Sequence, residues 1–311
     1  MLAWKLCVAV RLNTCRSTSS TQPPLEPRSN LAMHREVLAW FDENQRDLPW
    51  RKSTAWGVMV SEFMLQQTPV NRVLPIWNEW MNRWPTPKDL SAAKKSDLLK
   101  AWGRLGYPRR ALRLHEAATT IATQYNNQVP KTEAELRNLP GVGEYTAAAI
   151  MAFAHKEKSL VLDVNIRRLF ARALDGQEFS PLHITNAERQ ARTELIPEEA
   201  STWAAATMEL GALICTAVKP KCETCPLSNS CLWRAKGYPP SQTQKKKVQK
   251  WHGTDRQCRG AIIDYLRTHP KATESSLSKI WDNSSQLEKC LASLTKDGLI
   301  TRSRKSYALS D

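Results

Sequence analysis

Leu139-Pro140-Gly141-Val142-Gly143 sits between two stretches of helical pattern, residues 133–138 and 144–154. Two glycines in so tight a connection let the backbone come close to a ligand. The N–H groups at the start of the second helix point outward and favour an anion there. An ordinary Gly-rich link between helices has the same composition, so the motif gains meaning only from what surrounds it. On both sides the pattern stays helical from Met33 to about Arg234. Residues 58–67, 70–83, 88–102 and 109–125 repeat the amphipathic period, separated by turns such as Trp84-Pro85-Thr86-Pro87 and Gly106-Tyr107-Pro108. Strand patterns are nearly absent, which predicts a mainly α domain with most of the 12 tryptophans in its core.

Twenty residues beyond Gly143, the apolar run Val161-Leu162 delivers Asp163 to the start of a helix. Helix-start amides and the dipole are expected to keep that carboxylate ionised; a plain N-cap is the commoner use of such a residue. Upstream, Val60-Ser61-Glu62-Phe63-Met64-Leu65-Gln66-Gln67-Thr68 puts one carboxylate in an apolar helix. Burial there raises a Glu pKa and favours the protonated form. A protonated acid and an ionised carboxylate are the pair that glycosidic-bond cleavage through an oxocarbenium-like state requires. Gln66 and Gln67 suit reading base edges or wedging into a stack, or simply lie on the helix surface.

Cys215, Cys222, Cys225 and Cys231 form Cys-x6-Cys-x2-Cys-x5-Cys within one loop. Thiolates grouped this tightly need a soft metal to offset their repulsion. A zinc ribbon uses two Cys-x2-Cys knuckles; only one is present, and the wider arcs suit an iron–sulfur cluster. Zinc and disulfides remain the alternatives on spacing alone. Lys219 and Lys221 in the same loop are candidates for phosphate contacts.

The chain carries 45 Lys and Arg against 30 Asp and Glu, a net charge of +15. A polyanionic partner follows, most naturally nucleic acid; a solvated basic surface is the bland alternative. The clustered thiols argue for a reducing intracellular compartment, and no apolar run is long enough to span a membrane. At 311 residues the chain has room for about two domains. We read residues 1–32 as a disordered tail, 33–236 as the main domain with its cysteine loop at 215–231, and 237–252 as a basic linker containing Lys245-Lys246-Lys247. Residues 253–311, three short helices and two short strands, read as a winged-helix-like module.

Together these motifs resemble the A/G-specific adenine DNA glycosylases of the helix–hairpin–helix and endonuclease III superfamily. The resemblance rests on Leu48-Pro-Trp-Arg51, Val60 to Thr68, Trp102-Gly-Arg-Leu-Gly-Tyr107, Leu139 to Gly143, Tyr145-Thr146-Ala147, Leu162-Asp163-x-Asn165 and the four cysteines, in this order and spacing. It implies a six-helix barrel module beside a module holding a 4Fe–4S cluster on Cys215, Cys222, Cys225 and Cys231. It implies that Glu62 protonates adenine N7, that Asp163 stabilises the sugar cation, and that Tyr145 and Asn165 line the pocket of the extrahelical base. Gln67 and Tyr107 match side chains inserted into the DNA stack, and Arg51, Gln66, Gly141, Val142, Gly143, Thr146, Lys219 and Lys221 complete the implied DNA contacts. The implied partner is duplex DNA with adenine opposite 8-oxoguanine or guanine, met by a monomer in the cytoplasm at the nucleoid. Release of thymine or uracil opposite guanine, and non-enzymatic DNA binding, are the competing readings. Tyr145 stands where bifunctional relatives carry a lysine, so a monofunctional enzyme is implied. The tail is too short for the Nudix-like domain that many members use to read 8-oxoguanine, which points to a shorter, actinobacterial-like branch.

Overall fold

The structure is a computed structural model that describes residues 29–241 and 251–311. Residues 1–28 of the expected tail (1–32) and the Lys245–Lys247 run therefore lie outside the described residues, while residues 30–32 are helical. The first helix, α1 (Asn30–Asn44), starts ahead of Met33 because Ser29 accepts from the Ala32 amide as its N-cap. There follow α2 (Ala55–Leu65), α3 (Val70–Arg83), α4 (Pro87–Ser91), α5 (Lys95–Ala101), α6 (Arg109–Gln124), α7 (Glu133–Asn138) and α8 (Glu144–Phe153). The stretch 88–102, expected as one helix, is two. A capping box between Thr86 and Asp89 starts α4, and the chain turns before Lys94 opens α5. Beyond them lie α9 (Val164–Phe170), α10 (Asn186–Thr193), α11 (Ala200–Leu213) and α12 (Leu232–Ala235).

The apolar residues of these helices form two cores. One is built by α2 to α8 around Trp50, Trp77, Trp80 and Trp102. The other joins α1 to α9 and α11, through Phe41, Phe170, Trp203 and Leu210, and reaches Cys215 and Leu227 of the cysteine loop. The first helix thus closes over the second half of the domain. The seam between the cores lies where α2 and α8 of one meet α9 and α11 of the other.

After the linker come α13 (Asp255–Thr268), β1 (Ala272–Thr273), α14 (Glu274–Ser278), α15 (Ser284–Lys296), β2 (Ile300–Ser303) and β3 (Ser306–Leu309). The strands form one antiparallel sheet in the order β1-β3-β2, with Ala272 opposite Tyr307 and Ile300 opposite Leu309. Three helices and a small sheet match the winged-helix-like expectation, with β1 as an additional strand. The module is not a tethered appendage: Ile262, Leu266, Leu291 and Leu309 belong to the same apolar core as α2 to α6. Arg267 Nε donates to the Leu99 carbonyl at 3.0 Å, and Arg104 pairs with Asp264 at 3.1 Å across the junction.

Candidate active site and cluster loop

Thr54 caps α2 by accepting from the Gly57 amide, and the helix behind it is apolar on nearly every face. It is therefore buried all round, and Glu62 is carried inside with it, 6% exposed. Burial, helped by the nearby Asp163 charge and opposed by a hydrogen bond from the Tyr145 hydroxyl, raises the Glu62 carboxyl to about 7. Burial likewise holds Tyr145 well above its usual range, so the phenol keeps its proton and donates. Asp163 is the N-cap of α9 and also faces the same cavity, which has a volume of about 420 Å³. Its Oδ1 accepts from the amides of Asn165 and Ile166 at 2.9 and 2.7 Å, and its Oδ2 from Asn165 Nδ2 at 2.7 Å. Capping and pocket-lining are one geometry here rather than alternatives. Burial nevertheless outweighs those donors, and the Asp163 pKa moves up.

The seam brings Glu62, Tyr145, Asp163 and Asn165 together from α2, α8 and α9. Close approach of α11 is possible because it carries Gly211: a Cβ there would lie 2.6 Å from the Asn165 carbonyl oxygen. Two other pocket residues escaped the sequence reading. Glu209 on α11 is buried and receives Arg46 Nε and Nη2 at 2.7 and 2.8 Å. Burial pushes its carboxyl up, but the bonds from Arg46 and the charge of Arg51 prevail and lower it. Lys156, in the left-handed region at φ 61°, also lines the cavity. Neither has a signature in local sequence, since both are placed by packing between distant helices.

Arg51, expected to reach DNA, turns inward instead. Its Nη2 donates to Glu209 Oε2 at 3.0 Å and its Nη1 to the Arg46 carbonyl at 2.7 Å. A buried carboxylate has claimed it. Beyond α2, Gln66 is half-buried, whereas Gln67 is exposed with φ 56°; Tyr107, exposed with φ 45°, shares that left-handed conformation. Two non-glycine residues held there mark a site where surrounding structure enforces strain. The enforcing group is Arg110, which the sequence did not single out. Its Nη1 donates to the carbonyls of Phe63, Met64 and Gln66, and its Nη2 to Thr68 Oγ1 and the carbonyls of Leu105 and Gly106, all at 2.5–3.2 Å. One guanidinium thus binds the turn carrying Gln67 to the loop carrying Tyr107. Burial lowers its pKa to about 10.

In the hairpin, Gly141 takes φ 82°, and a Cβ there would lie 2.8 Å from Phe63 and Arg113 side-chain atoms. This glycine lets the turn pack on α2. Gly143 meets nothing within 4 Å, so its surroundings are open to a ligand. Val142 and Thr146 are buried, and the Val142 amide is bonded to the Leu139 carbonyl at 3.1 Å. Their side chains are therefore part of the packing. Glu144 at the helix start is neutralised by Arg189, with Nη2 on Oε2 at 3.0 Å.

The four loop cysteines line one cavity together with Arg172 and Trp233. Among the described residues no group of three or more His, Cys, Asp or Glu converges as a single-ion site; the thiols ring a shared space instead. Burial, together with the charges of the other three thiols, pushes the Cys225 thiol up to about 12. Four thiolates can coexist there only around a cationic centre, so the donor set fits a cluster. Arg172 Nη1 lies 3.5 Å from Cys215 Sγ, and Arg168 Nε donates to the Cys215 carbonyl at 2.7 Å. Lys219, with φ 56°, and Lys221 are both exposed on the loop.

Residues 60–191 match the model of the HhH-GPD superfamily base excision DNA repair protein, and residues 215–231 match the iron–sulfur binding domain of endonuclease III. The loop is thus a 4Fe–4S cluster site. The chain is 47% identical over 272 residues to an adenine DNA glycosylase of Mycolicibacterium smegmatis, covering 85% of this chain and 91% of that one. Identity to the human adenine DNA glycosylase is 36% over 212 residues, 64% of this chain and 39% of the longer relative. Among solved structures, a thermostable thymine-DNA glycosylase superposes with a TM-score of 0.62 at 27% identity, over 67% of this chain and 97% of that one. A non-covalent endonuclease III–DNA complex shares the fold, with a TM-score of 0.58 at 21% identity over 68% and 98%. No helix among the described residues is long and apolar enough to cross a membrane.

Proposed function

The chain belongs to the adenine DNA glycosylase family, and from that premise we propose how its residues excise adenine and from which mispair. It is a base-excision-repair glycosylase that binds DNA and removes adenine. The substrate we assign is adenine opposite 8-oxoguanine or guanine, met by a monomer at the nucleoid. The observation that carries the mechanism is the meeting of Glu62 and Asp163 in one cavity, both buried but with different hydrogen-bond partners. Glu62 is held near 7 by burial, so a large share is protonated at neutral pH. Asp163 is given three N–H donors that stabilise its anion.

A base inside the duplex is out of reach, so the adenine must turn out of the stack into the cavity. Glu62 gives its proton to N7 of the base. The C1′–N9 bond breaks with its electron pair leaving on the protonated adenine, and Asp163 faces the resulting oxocarbenium sugar. Water adds at C1′ and gives its proton to the Glu62 carboxylate, leaving free adenine and an abasic site. Tyr145 orients Glu62 through their hydrogen bond, and Asn165 orients Asp163. Gln67 and Tyr107 fill the vacated stack. Lys219, Lys221 and the amides around Gly141 and Gly143 hold phosphates. The cluster, when bound, neutralises the four thiolates and pins the lysine-bearing loop; hydrolysis does not pass through it. No side chain at Tyr145 can form a Schiff base, which makes the enzyme monofunctional.

The deciding experiment measures base release from duplexes carrying A, T or U opposite G or 8-oxoguanine. Release of adenine alone, fastest opposite 8-oxoguanine, is expected. Preferential release of thymine or uracil would move the chain toward the mismatch glycosylases, and release of no base would leave a DNA-binding protein.

A further inference from the structure

The loop that carries Tyr107 is gripped by the C-terminal module at three points, each through a different residue. Arg104 pairs with Asp264 of α13 at 3.1 Å, and Arg109 pairs with Asp297, which follows α15, at 3.5 Å. Between them the Tyr107 hydroxyl accepts from Arg256 Nη1 of α13 at 3.1 Å. The two carboxylates are anchored within the module, Asp264 by Arg267 and Asp297 by Arg259. The outer contacts therefore tie the flanks of the loop, and the central one reaches the tip of its exposed side chain.

Arg256 differs from the other arginines of this junction. Among the described residues no carboxylate pairs with it, and its guanidinium lies 4.8 Å from the ring centroid of Trp251. The indole face steadies the planar cation, and the cation's hydrogen bond steadies the phenol. Tyr107 needs such support. Its backbone is held at φ 45°, directly after Gly106 at φ 84°, and its ring is 47% exposed. A non-glycine residue keeps that conformation only where its surroundings over-determine it. From its own domain the ring has the Arg110 guanidinium, 5.8 Å from its centroid. An exposed tyrosine with no contact at its hydroxyl samples several rotamers, and it loses that freedom when it enters a base stack. A side chain already held in one pose loses less.

We propose that Arg256 is a positioning residue for Tyr107, which makes the C-terminal module part of the device that inserts this side chain into DNA. The proposal rests on the reading above that Tyr107 enters the stack. Arg256 acts through the tyrosine hydroxyl and not through the phosphate backbone. The apolar core that the module shares with α2 to α6 keeps α13 at the distance this contact needs.

The test is a double-mutant cycle in the full chain with its cluster: Arg256→Ala, Tyr107→Phe and the two together. Two rates are read on a duplex with adenine opposite 8-oxoguanine. One is single-turnover adenine release. The other is the fluorescence change of a 2-aminopurine placed beside the mispair, which reports the breaking of the stack. Each single variant should slow insertion by about fivefold, the share of one hydrogen bond from a charged donor. The double variant should be no slower than either single one, because both remove the same contact. Arg256→Ala should leave the slope of log Kd against log salt unchanged. Arg256→Lys, which keeps the charge without the planar fork, should restore little. Additive losses, or a salt slope lowered by about 0.9 in Arg256→Ala and restored by lysine, would make Arg256 a phosphate contact and overturn the proposal. Tyr107→Phe removes one exposed oxygen, so it decides the matter if the Arg256 variants fail to fold; an unchanged insertion rate there also overturns it. A wild-type protein that breaks the stack at the expected rate yet releases no adenine would sink the glycosylase reading, while the cycle read by fluorescence would still decide this one.

Discussion

The Asn165 side-chain amide donates to Asp163 Oδ2 at 2.7 Å, and its carbonyl oxygen accepts from Arg168 Nη2 at 2.9 Å. Arg168 also donates to the Gly211 and Cys215 carbonyls, at 2.6 and 2.7 Å. The carboxylate proposed to face the sugar and the loop that holds the cluster are thus ends of one hydrogen-bonded chain. Asn165→Ala removes a donor from a carboxylate that burial already disfavours as an anion. Single-turnover adenine release should slow by roughly tenfold or more, about 1.4 kcal/mol or more in barrier, while duplex Kd changes little. An unaltered rate would show that the two backbone amides suffice.

Glu62 links activity and stability to pH in the same direction: both fall as pH rises. As general acid it must be protonated, so the excision rate should fall as pH rises through about 7. Its folded pKa lies above the unfolded value of 4.5, so the folded state binds more protons and stability declines between pH 4.5 and 7. Glu62→Gln never ionises. It should abolish most excision, on the order of 10²–10⁴-fold, yet stabilise the protein at pH 8 by up to about 3 kcal/mol. That advantage should vanish below pH 4.5. Denaturant melts of both proteins at pH 4 and 8 check the sign; equal destabilisation at both would contradict it.

Gly211→Ala would place a Cβ 2.6 Å from the Asn165 carbonyl oxygen. Backbone cannot yield as a flexible side chain does, so α11 and α9 must separate, at a cost of about 1–3 kcal/mol. Expected are a lower Tm and a fall in kcat larger than any change in duplex affinity. A variant as active and as stable as wild type would mean that the two helices are not held as described.

The abasic product should remain intact. Tyr145 lacks an amine, and Arg167, its Nε on Glu188 Oε1 at 2.6 Å, is fully engaged. Borohydride should therefore trap little covalent complex. Lys156 is the amine to watch, because it lines the cavity. Trapping at a rate comparable to excision, lost in Lys156→Ala, would overturn the monofunctional assignment.

Purified protein should be yellow-brown with about four irons per chain. Cys225→Ser should lower iron content and weaken duplex binding, since Lys219 and Lys221 ride on the same loop. Stoichiometric zinc in anaerobically prepared wild-type protein would count against the cluster.

Much of this arrangement was visible in residue order. The cysteine spacing, the glycines of the hairpin and the apolar helix around Glu62 are local: a few neighbouring residues define each. Helices α3, α6 and α7 could be placed closely for the same reason, because a regular apolar period needs no partner to be seen. The inward turn of Arg51 was not visible, since it depends on Glu209, far away in sequence and delivered by α11. Nor was the burial of Val142 and Thr146, which the hairpin motif alone would leave at the surface.

What residue order determined by itself is the chemistry available: one acid in an apolar helix, one carboxylate at a helix start, four thiols in a loop and an excess of positive charge. Tertiary structure decided which of these meet. Two cores close against each other to bring Glu62 beside Asp163, and burial in that seam, stronger than the amides at the α9 N-terminus, sets the direction of both pKa shifts. Arg110 and Arg256 acquire their places only because α2, the Tyr107 loop and α13 converge. Hydrogen-bond donors and desolvation act over a few ångströms of space, and no separation counted along the chain reports that distance.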